Sequence, residues 1–146
     1  GDLLVSGGAD TTVKLWDVST GECIGTLLGH TNWIRSVVCS SASPIVASAS
    51  EDLTIRLWNI FTGQCLHTLE GHISQIWGVS ISARGDIVAS GSEDQTVRIW
   101  DVENSANTMT YDGMPQIATA MKWNPKGDRL GVVIKGGTMY SYDPRT

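Results

Sequence analysis

The stretch Ser48-Ala49-Ser50-Glu51-Asp52-Leu53-Thr54-Ile55-Arg56-Leu57-Trp58-Asn59 returns 42 residues later as Ser90-Gly91-Ser92-Glu93-Asp94-Gln95-Thr96-Val97-Arg98-Ile99-Trp100-Asp101. The same frame precedes both as Ser6-Gly7-Gly8-Ala9-Asp10-Thr11-Thr12-Val13-Lys14-Leu15-Trp16-Asp17. Residues 31–72 laid over 73–114 share 15 identities in 42 positions without a gap, and 1–30 over 43–72 share 12 in 30. Thr138 continues the threonine position, while Gly136 and Tyr142 stand in for its Asp and Trp. A fixed period of this length marks a chain built from stacked copies of one small unit. The units are 1–30, 31–72, 73–114 and a divergent 115–146.

Each unit reads as four short strands. In the second, Ile34–Cys39 is apolar and β-branched, Ile45–Ser48 is a short apolar run, Thr54–Trp58 alternates, and Cys65–Leu69 alternates more weakly. Turn signals separate them at Ser40–Pro44, Ser50–Leu53 and Phe61–Gln64. No segment carries a helical period with caps. The expected fold is all-β, with fourteen strands in four antiparallel sheets. Ile117–Trp123, Leu130–Ile134 and Thr138–Tyr142 supply the strands of the last unit, and Trp123 is expected in its core.

The punctuation Gly29-His30 and Gly71-His72, followed by Trp16-Asp17, Trp58-Asn59 and Trp100-Asp101, resembles the WD-repeat β-propeller family. The resemblance is strong over 1–113 and weak after it. It implies four-stranded antiparallel blades, about three and a half repeats of 42 residues, forming part of a larger ring of about seven blades. It also implies a hydrogen-bonded set within each blade, here His30, Ser48, Asp52 and Trp58, and again His72, Ser90, Asp94 and Trp100. A Ser-His-Asp reading as a catalytic triad is disfavoured, because the set occurs twice and a fixed Trp has no part in acyl transfer. In the last unit Met114, Val132, Gly136 and Tyr142 occupy these places, so that blade must rely on apolar packing. The tail Trp123-Asn124 … Tyr142-Asp143-Pro144-Arg145 is similar to a coronin blade, which implies actin association.

Three and a half units should not close a ring unaided, because an inner strand is missing at one end and an outer strand at the other. The remaining blades of a longer propeller, or self-association, are expected to complete it.

The chain has 146 residues, with 10 Lys+Arg against 15 Asp+Glu and a formal charge of −5. Residues 1–114 carry a net −8 and 115–146 a net +3. The acidic balance argues against nucleic-acid backbones as partners. No apolar run is long enough to span a membrane as a helix. Cys23, Cys39 and Cys65 form no C-x-x-C pair, which favours a reducing compartment, so a cytoplasmic or nuclear setting is expected. Cys23 and Cys65 share a repeat position, which suggests packing on the outer strand. No nucleotide-binding, metal or nucleophile motif is present, and His67 has no companion ligand, so no enzyme activity, cofactor or metal is expected.

The resemblance places partner contacts on the face carrying the loops between strands four and one and between strands two and three. Transferred here, these are Trp33, Arg35 and Glu51, then Gln75, Trp77 and Glu93, with Ala9 in the first unit and Ile117, Thr119 and Lys135 in the last. Trp33 and Trp77 stand alone at their repeat positions, and Trp and Arg dominate binding hot spots. Glu51 and Glu93 beside them suit a protein or peptide carrying Lys or Arg. The expected function is a non-catalytic protein-interaction scaffold. The alternatives are a substrate-recruiting or regulatory module of a larger enzyme, such as a ubiquitin-ligase-type adaptor, or the coronin-like role.

Overall fold

The computed structural model describes residues 2–144, so Arg145 of the coronin-like tail lies outside them. Fourteen strands form four antiparallel sheets. The first holds β1 (Leu3–Gly7), β2 (Val13–Asp17) and β3 (Cys23–Leu27). The second holds β4 (Ile34–Cys39), β5 (Ile45–Ser50), β6 (Ile55–Asn59) and β7 (Cys65–Leu69). The third repeats it as β8 (Ile76–Ile81), β9 (Ile87–Ser92), β10 (Val97–Asp101) and β11 (Ala106–Tyr111). The last holds β12 (Ala118–Trp123), β13 (Leu130–Ile134) and β14 (Met139–Tyr142).

Every strand pairs with its sequence neighbour, so each sheet is a meander, and successive sheets pack face to face. Strand β8 lies against β4 and β5, and β12 against β8 and β9. Stacking explains why these strands are apolar on both faces: Ile55, Leu57 and Trp58 of β6 are all buried, as are Val97, Ile99 and Trp100 of β10. Trp123 joins Leu130, Val132 and Ile134 in the core of the last sheet. The outer strands are wetter. Cys23 and Cys65 are exposed there, so core packing does not account for them.

The turn between the second and third strands of each unit needs one residue in the left-handed region. Thr11, Leu53 and Gln95 occupy it at φ 67°, 71° and 63°. A side chain is strained there. The preceding aspartate offsets that cost by accepting the backbone N–H two residues on: Thr12 to Asp10 (3.2 Å), Thr54 to Asp52 (3.0 Å) and Thr96 to Asp94 (2.9 Å). The last unit has Gly136 in place of the aspartate, and its turn places Gly137 at φ 90°, where no Cβ is strained. The loss of the anchor and the arrival of the glycine are one substitution in two parts.

This predicts that Leu53→Gly, at a side chain already 37% exposed, leaves the stability unchanged or raises it by up to about 1 kcal/mol. Urea denaturation checks it. A loss above about 1 kcal/mol would mean that Leu53 packs more than its exposure indicates.

Candidate functional site

Within the second and third sheets a chain of polar groups crosses from the surface turn to the core. His30 Nδ1 lies 2.7 Å from Asp52 Oδ2, and His30 Nε2 lies 2.7 Å from Ser48 Oγ. Trp58 Nε1–H donates to the same Ser48 oxygen at 2.8 Å. The third sheet repeats the set with His72, Asp94, Ser90 and Trp100 at the same three distances. An ionised aspartate only accepts, so the proton sits on Nδ1 and Nε2 receives the serine hydroxyl. Thr54 Oγ1 and Thr96 Oγ1 donate to the other aspartate oxygen at 2.7 Å. Ser50 and Ser92, fully buried one turn away, bond to the Asn32 and Ser74 carbonyls and accept the aspartate N–H groups. These serines had no role in the sequence reading. Their signal was identity across the repeat.

In the first sheet, among the described residues, the Trp16 Nε1–H donates to Ser6 Oγ at 2.8 Å. In the last, Tyr142 O–H donates to Met114 Sδ at 3.3 Å, and the Tyr142 ring lies 4.4 Å from that of Tyr111. One weak bond and an aromatic pair stand where the four-residue chain was.

Burial pushes the Asp52 carboxyl up, but the hydrogen bonds from His30, Thr54 and the Thr31 N–H outweigh it and hold it far below the usual carboxylate range. Asp94 balances the same way, with Thr96 and His72 opposing burial. His72 is lowered by burial, against the pull of Asp94. These groups therefore form a structural lock, and in the third sheet burial favours the neutral imidazole of His72 at its centre.

The candidate contact residues lie at one end of the strands, and a backbone irregularity puts them there. The register between the first and second strands of a sheet slips at one residue. The slip falls between Ile34 and Ser36, between Ile76 and Gly78, and between Ala118 and Ala120. The residues left out of the ladder are Arg35, Trp77 and Thr119. Such bulges re-aim a side chain, and here they aim the same repeat position in three neighbouring sheets. Consequently Arg35 and Trp77 are next to each other. The Arg35 guanidinium lies 4.9 Å from the Trp33 ring centre and 4.6 Å from that of Trp77, a cation between two indoles. Arg35 Nε–H donates to Glu51 Oε1 at 2.6 Å, and its Nη2 also donates to that oxygen.

Four sequence candidates therefore meet. Trp33 is 47% exposed, whereas Trp77 is half-buried with its Nε1 enclosed and unpaired. Gln75 and Glu93 are joined through the backbone, Glu93 N–H to the Gln75 carbonyl at 2.9 Å, and Ser74 Oγ–H reaches Glu93 at 3.3 Å. Lys135 is tied to Ile117 in the same way, at 2.8 Å, but its side chain and that of Thr119 are exposed and take no part in the stack. Ala9 is exposed on the first sheet and contributes no polar group.

The family model for the WD domain, G-beta repeat, matches residues 1–17, 21–59 and 63–101, which are the segments ending at Trp16-Asp17, Trp58-Asn59 and Trp100-Asp101. The chain belongs to the WD-repeat family. It is also similar to the Lissencephaly-1 homolog of Branchiostoma floridae, with 60% identity over 38 residues, 26% of this chain. That alignment spans 9% of the relative's length. A WD-repeat assignment carries with it the general role of protein-interaction scaffold, and the indoles of Trp58 and Trp100 in its repeated dipeptides are the buried ends of the polar chains described above.

Two outcomes follow for the lock. Ser48→Ala strands the Trp58 N–H and His30 Nε2 in the core and should cost about 2–4 kcal/mol, against about 1 kcal/mol or less for Ser6→Ala, where one half-buried bond is lost. Equal costs in urea denaturation would show that the histidine adds nothing. The lock also sets a pH dependence. The folded pKa of His72 is depressed, so its contribution is complete above about pH 6.5 and is lost as pH falls toward the folded value. The depressed aspartates add stability that is complete above about pH 4 and is lost below it. Both act in one direction, so stability should fall from about pH 7 to 5 and again below about pH 4. A profile flat between pH 7 and 5 would contradict a neutral buried His72.

Proposed function

We propose that the chain is a non-catalytic scaffold that holds a protein or peptide partner on the face bearing Trp33, Arg35, Glu51 and Trp77, with Gln75 and Glu93 at its margin. One observation carries the reading: a half-exposed indole, Trp33, is held in place by an arginine that is itself fixed by Trp77 and Glu51. A rigid aromatic anchor loses little entropy on binding, which is what makes Trp beside Arg effective in hot spots. Ile73, 82% exposed, follows His72 at the start of the equivalent loop in the third sheet and extends the apolar contact area.

The arginine also refines the chemistry expected of the partner. Glu51 is engaged by Arg35, and the facing sides of both indoles are occupied by the same guanidinium. The acid that remains for a basic side chain is the exposed Glu93, and the surface that remains for a cation is the outer side of Trp33.

The two tryptophans should separate in experiment. Trp33→Ala should abolish capture of the partner in a pull-down while changing stability by less than about 1 kcal/mol. Trp77→Ala should weaken capture and also destabilise by about 2–3 kcal/mol, because it removes a packed ring from between two sheets and one side of the arginine stack. Full binding by a folded Trp33→Ala protein would place the partner elsewhere.

A further inference from the structure

At the opposite end of the inner strands the turns between strands one and two also repeat. They read Ser40-Ser41-Ala42-Ser43-Pro44, Ser82-Ala83-Arg84-Gly85-Asp86 and Asn124-Pro125-Lys126-Gly127-Asp128. The first two turns are sewn together. Ala42 N–H donates to the Ala83 carbonyl at 2.9 Å, and Ser40 Oγ–H donates to the same oxygen at 2.7 Å. Gly85 packs directly on Ser43, with no room for a Cβ.

The equivalent seam between the second and third turns would run from Ser82 and the Arg84 N–H to the Pro125 carbonyl. Neither bond forms among the described residues. Ser82 is turned inward instead: its hydroxyl donates to Asp86 Oδ1 at 2.5 Å and accepts the Asp86 and Ile87 N–H groups at 3.2 and 3.1 Å. Pro44 explains the difference. At the position of Asp86 it offers neither a carboxylate nor an N–H, which leaves the Ser40 O–H to reach across while its oxygen accepts the Ser43 N–H at 3.2 Å. One substitution within the repeat therefore closes one seam and opens the next.

The open seam is a cleft of about 380 Å³ between the third and fourth sheets. Arg84 and Lys126, the same repeat position in neighbouring units, both line it. Both are exposed, and neither side chain makes a hydrogen bond or ion pair with another described residue. Asp86 is the one acid lining it among the described residues, and its carboxylate is engaged by Ser82. Around Gly127 nothing lies within 4 Å of where a Cβ would stand, so the second lip is accessible.

We propose that this cleft is a second docking site, remote from Trp33, for an acidic segment of a protein partner whose carboxylates are received by Arg84 and Lys126. Charge is the argument. Residues 1–114 carry a net −8, yet two unpaired cations converge on one cleft, and two more, Lys122 and Arg129, flank the Asn124–Asp128 turn in sequence. With Asp86 in the lining, the local charge is small. That suits spaced single charges on a peptide better than a dianionic phosphate group or a nucleic-acid backbone.

The test is fluorescence anisotropy of a short labelled poly-Glu peptide with the intact protein at low ionic strength, alongside its poly-Gln counterpart. The peptide should bind, the poly-Gln form should not, and Arg84→Ser/Lys126→Ser should weaken binding about tenfold, the sum of two partly screened ion pairs. Trp33→Ala should leave this binding unchanged, which separates it from the partner site on the other face. The proposal is overturned if no poly-Glu binding is seen, or if Lys122→Ser/Arg129→Ser weakens it as much as the cleft pair, since that would indicate a diffuse field. Tighter binding of a single-stranded RNA of equal charge would also overturn it.

Discussion

A serine hydroxyl at the centre of each complete sheet holds this architecture in register. Ser48 accepts the Trp58 indole N–H and donates to His30, whose other nitrogen donates to Asp52. Each group lies on a different element: the loop before the first strand, the second strand, the following turn and the third strand. A one-residue slip of any of them would leave a buried donor or acceptor without a partner, at a cost comparable with a sizeable share of a domain's stability. Apolar stacking alone imposes no such choice, because β-branched side chains tolerate sliding. The polar chain selects the register that the apolar faces then fill.

The last sheet shows what the structure does without it. Around Tyr142 the lock is replaced by a tyrosine–methionine contact, a tyrosine pair and a glycine turn. These substitutions are correlated. Once the aspartate is gone, the left-handed turn residue has no anchor, and only glycine occupies it without strain. Once the serine is gone, with Val132 in its place, an indole N–H at the core would have no acceptor, and the Tyr142 hydroxyl turns to Met114 Sδ instead.

Much of this was legible in sequence because the chain states it more than once. Strands Ile34–Cys39, Cys65–Leu69 and Leu130–Ile134 have the bounds that apolar patterning gave, and the other discrepancies are of one or two residues at turns. The pairing of Arg35 with Trp77 was less visible, although its signal was present: both stand at one repeat position, and equivalent positions in adjacent sheets are spatial neighbours. What period-counting could not show is the bulge. A strand read as a plain alternation gives no sign that residues 35, 77 and 119 leave the ladder, because a bulge is a property of two strands together. The burial of Trp77 against Arg35 was hidden for the same reason, as were the exposed thiols of Cys23 and Cys65, which shared a position without sharing a core.

The two ends of the strands make opposite use of repetition. At the loop end, three bulges aim one position outward, and different residues there, Arg35, Trp77 and Thr119, yield one compact cluster and one exposed polar site. At the other end the second and third turns keep one shape, with Gly85 and Gly127 at φ 79° and 71°, whereas the first has Ser43 outside the left-handed region and Pro44 where they have Asp86 and Asp128. With Asp86 in place of Pro44, the serine O–H donates within its own turn instead of to its neighbour. The scaffold is fixed by residues that do not vary between the complete units. Its surfaces are decided by those that do, and in both places a side chain acts on the adjacent sheet more than on its own.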